Sequence, residues 1–166
     1  MSVKIRNYRE TDAVKVGRLI ADTFRRFNLA YASEEEKEKL LGPFRHARSN
    51  RKAHQSQIAD VIRAPWVLVA VDADEIVGVL RGSPGRLHSL FVGKKRHGRG
   101  IGRQLMAAFE RKVRKTGHGK ITLQASLHSV PFYQALGYKR STGVRSGPCF
   151  DGAGFPYQPM KKVLGA

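Results

Sequence analysis

Leu90-Phe91-Val92-Gly93-Lys94-Lys95-Arg96-His97-Gly98-Arg99-Gly100-Ile101-Gly102-Arg103 is the stretch on which the reading of this chain turns. It begins as an apolar, β-prone run and passes through a loop of glycines and cations. It then opens a segment in which Ile101, Leu105, Ala108, Phe109 and Val113 fall on one helical face. A strand, a glycine-rich loop and a helix start in that order can cradle an anion. The first backbone N–H groups of a helix have no partner within it, the helix dipole adds positive potential, and glycines let a phosphate approach the backbone. The Walker pattern is excluded, because Gly102 is followed by Arg103 and Gln104 rather than by Lys and then Ser or Thr. The dinucleotide fingerprint fails as well, since it needs a glycine where Arg103 stands and an acidic residue about twenty positions on. Taken alone, the loop reads equally well as a tight turn with solvated cations.

Outward from this stretch, short strands and helices alternate. A strand near Val3 to Asn7 precedes a helix from about Thr11, where Val16, Leu19, Ile20, Phe24 and Phe27 recur at helical spacing and predict one buried face. Trp66 to Val71 and Glu75 to Leu80 are β-rich runs joined by Asp72-Ala73-Asp74, the pattern of a hairpin. Arg86 to Val92 follows the Gly82-Ser83-Pro84-Gly85 turn as a third strand. After the helix from Gly100 to about Lys115 come a strand Lys120 to Ser126, a short helix Val130 to Leu136, a strand from Tyr138, and a closing strand Phe155 to Val163. Glu34 to Arg63 reads as one or two polar helices broken around Gly42 and Pro43. One strand-loop-helix-strand crossover among hairpins predicts an α/β fold in a single domain over 1–166. Its centre is a mixed, mostly antiparallel sheet of about six to seven strands flanked by helices.

The 166 residues are 41% hydrophobic and 27% charged, the balance of a globular chain. The longest apolar run, Trp66 to Val71, is far short of the ~20 residues that span a bilayer. Lys4, Arg6 and Arg9 precede no apolar stretch, so no membrane partner is expected, and with the single Cys149 a cytoplasmic setting is. The six histidines show no helical i, i+4 pairing and have no cysteine partners, so no metal is expected. The net charge of +18 is regional. Between Ile76 and Phe150 the only carboxylate is Glu110, while Arg81, Arg86, Lys94, Lys95, Arg96, Arg99 and Arg103 crowd the same stretch. That half is the candidate anion-binding half, and it predicts weak contact with polyanions or nucleic acid.

Two motifs carry a family resemblance. His97-Gly98-Arg99-Gly100-Ile101-Gly102 resembles the acetyl-CoA motif of GNAT acetyltransferases, Gln/Arg-x-x-Gly-x-Gly/Ala, with His97 where Gln or Arg is usual. Downstream, Gln124 to Tyr138, with Phe132-Tyr133 and Gly137-Tyr138, is similar to the family's strand followed by Phe-Tyr-x-x-x-Gly-Phe/Tyr. The resemblance implies the GNAT fold and an N-acetyltransferase moving the acetyl group of acetyl-CoA to a primary amine by direct attack in a ternary complex. It implies that the pyrophosphate sits over His97, Gly98, Arg99, Gly100, Ile101, Gly102 and Arg103, helped by Lys94, Lys95 and Arg96. It also implies that the pantetheine arm pairs with the backbone of Leu90, Phe91 and Val92, that Ser126 is a lesser pantetheine contact, and that Tyr133 protonates the leaving thiolate.

The acceptor amine must lose a proton, so a base or a water relay is needed. Many relatives carry a carboxylate on the strand before the phosphate loop, whereas this chain offers His88 and Ser89 there. His88 is therefore the candidate base or relay, with Asp22, Glu34, Glu35 and Asp151 as alternatives from other elements. Cys149 has no spacing that brings it to the cofactor. Residues 28–64, where the resemblance gives no guide, are the expected acceptor-side region, and Glu34 to Glu38 a candidate acidic patch for a cationic acceptor. Two other classes stay open: a basic nucleic-acid-binding module, which explains the charge but neither motif, and a non-catalytic CoA-binding regulator. A homodimer is an expectation by analogy with relatives.

Overall fold

The computed structural model describes residues 2–165. In chain order its regular elements are β1 (Lys4–Asn7), α1 (Ala13–Thr23), α2 (Glu34–Leu41), α3 (Lys52–Ile62), β2 (Trp66–Asp72), β3 (Glu75–Ser83), β4 (Arg86–Val92), α4 (Ile101–Lys115), β5 (Lys120–Ser126), α5 (Val130–Ala135), β6 (Lys139–Arg140), β7 (Arg145–Cys149) and β8 (Gly152–Val163). The strands form one sheet in the order β1-β2-β3-β4-β5-β8-β6, with β7 also pairing β8. Every pairing is antiparallel except β4 with β5. The fold is thus the expected mixed α/β sheet, with eight strands rather than six to seven. The additional strand is β7, whose Arg-Ser-Gly-Pro-Cys sequence has no β-branched residue and no alternation; it pairs with β8 alone, where Pro148 is tolerated.

Period-two alternation sends neighbouring residues to opposite faces of the sheet. Leu68 and Ala70 of β2 join Ile101, Leu105, Phe109 and Val113 of α4 in one core, while Val69 joins Val16, Ile20 and Ile62 on the other face. Helices α1, α2 and α3 cover that second face. Gly17 lets α1 approach α3, since a Cβ there would stand 2.8 Å from Ile58 Cγ2. The expected break at Gly42 is present, as α2 ends there and a 3-10 segment Gly42–His46 follows.

The helix expected from Thr11 to Phe27 differs at both ends. It starts after a 3-10 turn, Glu10–Asp12, and ends in a π-helical turn, Phe24–Asn28, closed by Leu29 N–H donating to Phe24 O at 2.9 Å. The wider turn breaks the 3.6-residue register, so Phe27 leaves the buried face on which its spacing put it.

The single carboxylate of the basic stretch is spent internally. Glu110 of α4 is buried; the Tyr138 hydroxyl donates to its Oε2 at 3.0 Å and Lys162 Nζ to its Oε1 at 2.9 Å. This locks α4 to β8 and holds the chain where β6 begins.

Helix α2 buttresses the β7–β8 hairpin from outside. The Cys149 thiol donates to Leu40 O, Asp151 N–H donates to Lys39 O, and Gly152 packs so tightly that a Cβ would lie 2.5 Å from Leu40 Cδ2. A Gly152→Val variant is expected to lose about 1–3 kcal/mol of stability through this overpacking, measured as a lower urea midpoint with an unchanged slope.

Candidate active site

The site begins where two strands part. β4 and β5 run parallel, yet only Arg86 and Thr122 pair, with Thr122 N–H also donating to Gly85 O at 3.0 Å. From there the strands diverge. β4 keeps its other edge on β3, with Leu80 opposite Leu90, Val79 opposite Phe91 and Gly78 opposite Val92. The edge of Leu90, Phe91 and Val92 facing β5 is therefore free to bond an extended ligand carrying amides. A bulge helps to set this up. Arg81 pairs with Ser89 and Gly82 with Leu87, leaving His88 as the extra residue. Leu87 and Leu90 consequently face α4 while Phe91 packs edge-on against Phe24 of the α1 side, ring centroids 5.9 Å apart.

Two cavities open in the fork and meet at its centre. The first, of about 550 Å³, lies over the glycine loop and is walled by Leu90, Phe91 and Val92 and by His97, Gly98, Gly100, Ile101, Gly102 and Arg103. Arg99 is not on this wall. Gly98 and Gly100 both take φ of +77°, and a Cβ on either would meet nothing, while Gly102 packs against Phe132 with a Cβ clearance of 3.0 Å. Gly100 caps α4 without any side-chain acceptor, so the first N–H groups of the helix turn toward the cavity unbonded by a cap. These features fit a phosphate-bearing ligand: free donors, a helix N-terminus, and cations nearby. Arg96 is less available than its charge suggested, because Asp72 (3.6 Å) and Glu75 (2.9 Å) hold it. Lys94 and Lys95 line a neighbouring cationic cavity with Arg25, Arg26 and Lys37.

His97, the departure from the usual motif, turns inward. Its Nε2–H donates to Val92 O at 2.7 Å, and its ring lies on Phe27, centroids 4.8 Å apart. Phe27 in turn stacks near His128, at 6.1 Å and 25°. The π-turn of α1 thus places an aromatic plate over the first cavity.

The second cavity, of about 410 Å³, extends the other way along β4, from the junction to Arg86, between β5 and the β7–β8 hairpin. His88, Ser126 and Cys149 line it. Asn28, Leu90, Phe91, His128, Ser129 and Tyr133 line both cavities. Sequence reasoning singled out Tyr133 but not His128, Ser129 or Asn28. Residues 29–64 line neither cavity; that region supports the hairpin that does. Asp22 is paired with Arg48, Asp151 with Arg45, and Glu34 with Arg25 and Lys37, and none of these carboxylates reaches either wall.

Burial governs the chemistry of the groups at the junction. Tyr133 is 6% exposed, and burial alone pushes its phenol well above the usual tyrosine range. Burial first, and His97 second, lower the pKa of His128; burial, then Arg81 and Arg86, lower that of His88. Both imidazoles are thereby biased to the neutral form, which accepts a proton. Burial pushes the Cys149 thiol up to about 11, so it is no ready thiolate.

A chain of hydroxyls orients His128. Its Nδ1 is 3.2 Å from Ser126 Oγ, which is 3.1 Å from Ser129 Oγ, which donates to Ser126 O at 2.7 Å. With Nδ1–H donating to Ser126, each donor in the chain is used once and Nε2 is left as an acceptor. Ser126 thus points at His128 rather than at the first cavity. Among the described residues no cluster of three metal-ligating side chains occurs, and no helix is long and apolar enough to cross a membrane.

The same architecture occurs in solved acetyltransferases. A GCN5-related N-acetyltransferase from Rhodopseudomonas palustris superposes with a TM-score of 0.80 over 99% of this chain and 97% of that one, at 20% identity. The PaiA N-acetyltransferase from Thermoplasma acidophilum, solved with coenzyme A, gives 0.72 over 99% and 100% at 18% identity. An aminoglycoside 6'-N-acetyltransferase, also complexed with coenzyme A, gives 0.63 over 98% of each chain at 20% identity. A family model described as an acetyltransferase (GNAT) domain matches residues 31–164. With the forked sheet, the glycine loop at a helix start and most of the chain matched, this protein belongs to the GNAT acetyltransferase family.

Proposed function

We propose that the protein transfers the acetyl group of acetyl-CoA to a primary amine, the two substrates meeting from opposite sides of the fork. The observation that carries this reading is the junction itself: two cavities, one against the glycine loop and one away from it, share a wall that presents Tyr133 and His128. The free edge of Leu90 to Val92 holds the pantetheine arm, and the N–H groups of residues 98–103 hold the pyrophosphate. Bound there, acetyl-CoA supplies an activated thioester.

The chain's own groups then manage protons and water. The amine enters through the second cavity, and His128 Nε2 takes its proton; the N–H of Nδ1 stays on Ser126, so the ring keeps its orientation. His88, further out on the same wall, relays that proton toward solvent. As the new C–N bond forms and the C–S bond breaks, Tyr133 gives its hydroxyl proton to the departing sulfur and is reprotonated from solvent. The high phenol pKa does not disqualify it, because the burial that penalises a phenolate also penalises the thiolate beside it, and both are raised together. Phe27, Phe91 and Phe132 exclude water that would compete with the amine.

Saturable one-to-one binding of acetyl-CoA in a calorimetric titration, surviving a salt level that abolishes heparin binding, is expected. Loss of both together would instead favour a basic nucleic-acid-binding module. The Tyr133→Phe variant is expected to lose ~100-fold or more in kcat while its affinity for CoA stays within about twofold. Unchanged kcat would remove Tyr133 from the proton transfer, whereas CoA binding without turnover in the parent chain would leave a CoA-binding regulator as the better reading.

The base has a pH signature. Because His128 is biased to neutral, kcat should rise with pH through an apparent pKa below the ordinary imidazole value of about 6.5 and be flat above it. His128→Gln is expected to remove that limb. If the limb survives there and disappears in His88→Gln, the bulged histidine is the base.

A further inference from the structure

The charge on the wall of the second cavity selects a class of acceptor. No Asp or Glu occurs among the residues lining it, and its one formally charged side chain is Arg86. Arg86 forms no ion pair among the described residues, its guanidinium donating only to Thr122 Oγ1 at 3.4 Å. Behind the His88 bulge stands a second guanidinium, Arg81, whose donors go to Val61 O (2.7 Å), Ile62 O (2.9 Å) and Ser89 Oγ (3.4 Å), again with no carboxylate. One cation on the wall, a second behind it turned toward the end of α3, and no anion make this chamber hostile to an acceptor with several ammonium groups and favourable to one that brings its own negative charge.

Geometry places that charge. Arg86 stands at the outer end of β4; it pairs with Ser83 and Leu90 pairs with Leu80, three steps along β3, so about 10 Å of strand separates it from the junction. Between the two ends the wall is mixed, with the rings of Phe24, Phe91 and Phe155 beside the polar side chains of His88, Ser89 and Gln124. An α-amino acid, whose amine and carboxylate flank one carbon, cannot reach both ends.

Resting on the reading of this cavity as the acceptor side, we infer that the acceptor is a primary amine joined through an extended body to a terminal carboxylate or phosphate, which Arg86 anchors. Arg86 is a specificity residue, outside the bond-making steps.

Four probes with one amine and one body, differing only at the far end, test this: 6-aminohexanoate, 6-aminohexyl phosphate, hexylamine and 1,6-diaminohexane. Binding to the full chain saturated with coenzyme A is read by ligand-observed NMR, and acetylation by acetyl-CoA is read in parallel. At least one of the two anionic probes is expected to bind roughly tenfold or more tighter than hexylamine, with the diamine weakest. The better of the two identifies the anion. Arg86→Gln should bring the anionic probes to the level of hexylamine, and Arg86→Lys should keep part of the preference. The inference is overturned if the diamine binds as well as the anionic probes, if Arg86→Gln leaves the ranking unchanged, or if none of the four binds. Anion-selective binding without acetylation of any probe would uphold the charge selection and remove the transferase reading. Acetylation that favours the diamine would do the reverse.

Discussion

Everything at the site depends on β4 and β5 being joined at one end only. A parallel pair that zipped to its end would spend the Leu90–Val92 edge on backbone hydrogen bonds and leave no room for Tyr133 to face a ligand. Only Arg86 and Thr122 pair, and β5 spends its other edge on seven residue pairs with β8, from Lys120–Val163 to Ser126–Tyr157. β3 holds β4, and β8 holds β5. The fork is therefore kept open by two antiparallel partners pulling outward, and the cost of its unpaired edges is carried by a sheet that is complete everywhere else.

Within that fork, position along β4 sorts the chemistry. The inner end, where the strand runs into the glycine loop, offers backbone donors and suits phosphate. The middle mixes aromatic rings with polar side chains, its two imidazoles biased toward the neutral form and its phenol toward the protonated one. The outer end holds an arginine with no carboxylate partner among the described residues. Such a gradient needs no acidic side chain, and the cavities have none. β4 carries no carboxylate, and the junction instead holds a histidine from a different element, the 3-10 turn Leu127–Ser129.

The features that could be read from the sequence are those set by neighbours in the chain. The loop from Gly93 to Gly102 declares itself through glycine spacing and through the helical repeat of Ile101, Leu105 and Phe109, all within one short stretch. The hairpin at Asp72-Ala73-Asp74 is legible for the same reason; Ala73 and Asp74 adopt the left-handed conformation such a turn requires. The features that escaped are set by remote partners. His88 becomes a bulged residue only through the register that β3 imposes, Phe27 is turned out by one π-turn that no periodicity announces, and His128 comes to lie beside Phe27 on both cavity walls only in the folded chain. Residues 29–64 touch the second cavity only through the β7–β8 hairpin that α2 supports, and β7 has too little β character to be seen as a strand.

Glu110 gives the basic half a further property. It is the one carboxylate between Ile76 and Phe150, and it lies buried between Tyr138 and Lys162 rather than on the surface. The surface of that half carries lysines and arginines, a residue class whose charge persists throughout the range in which proteins are handled, and no carboxylate that acid could neutralise. The electric field that draws an anion toward the loop is thus nearly indifferent to acidity and sensitive to dissolved ions, so ionic strength, rather than proton concentration, is the variable that sets how strongly this face calls to a polyphosphate in solution.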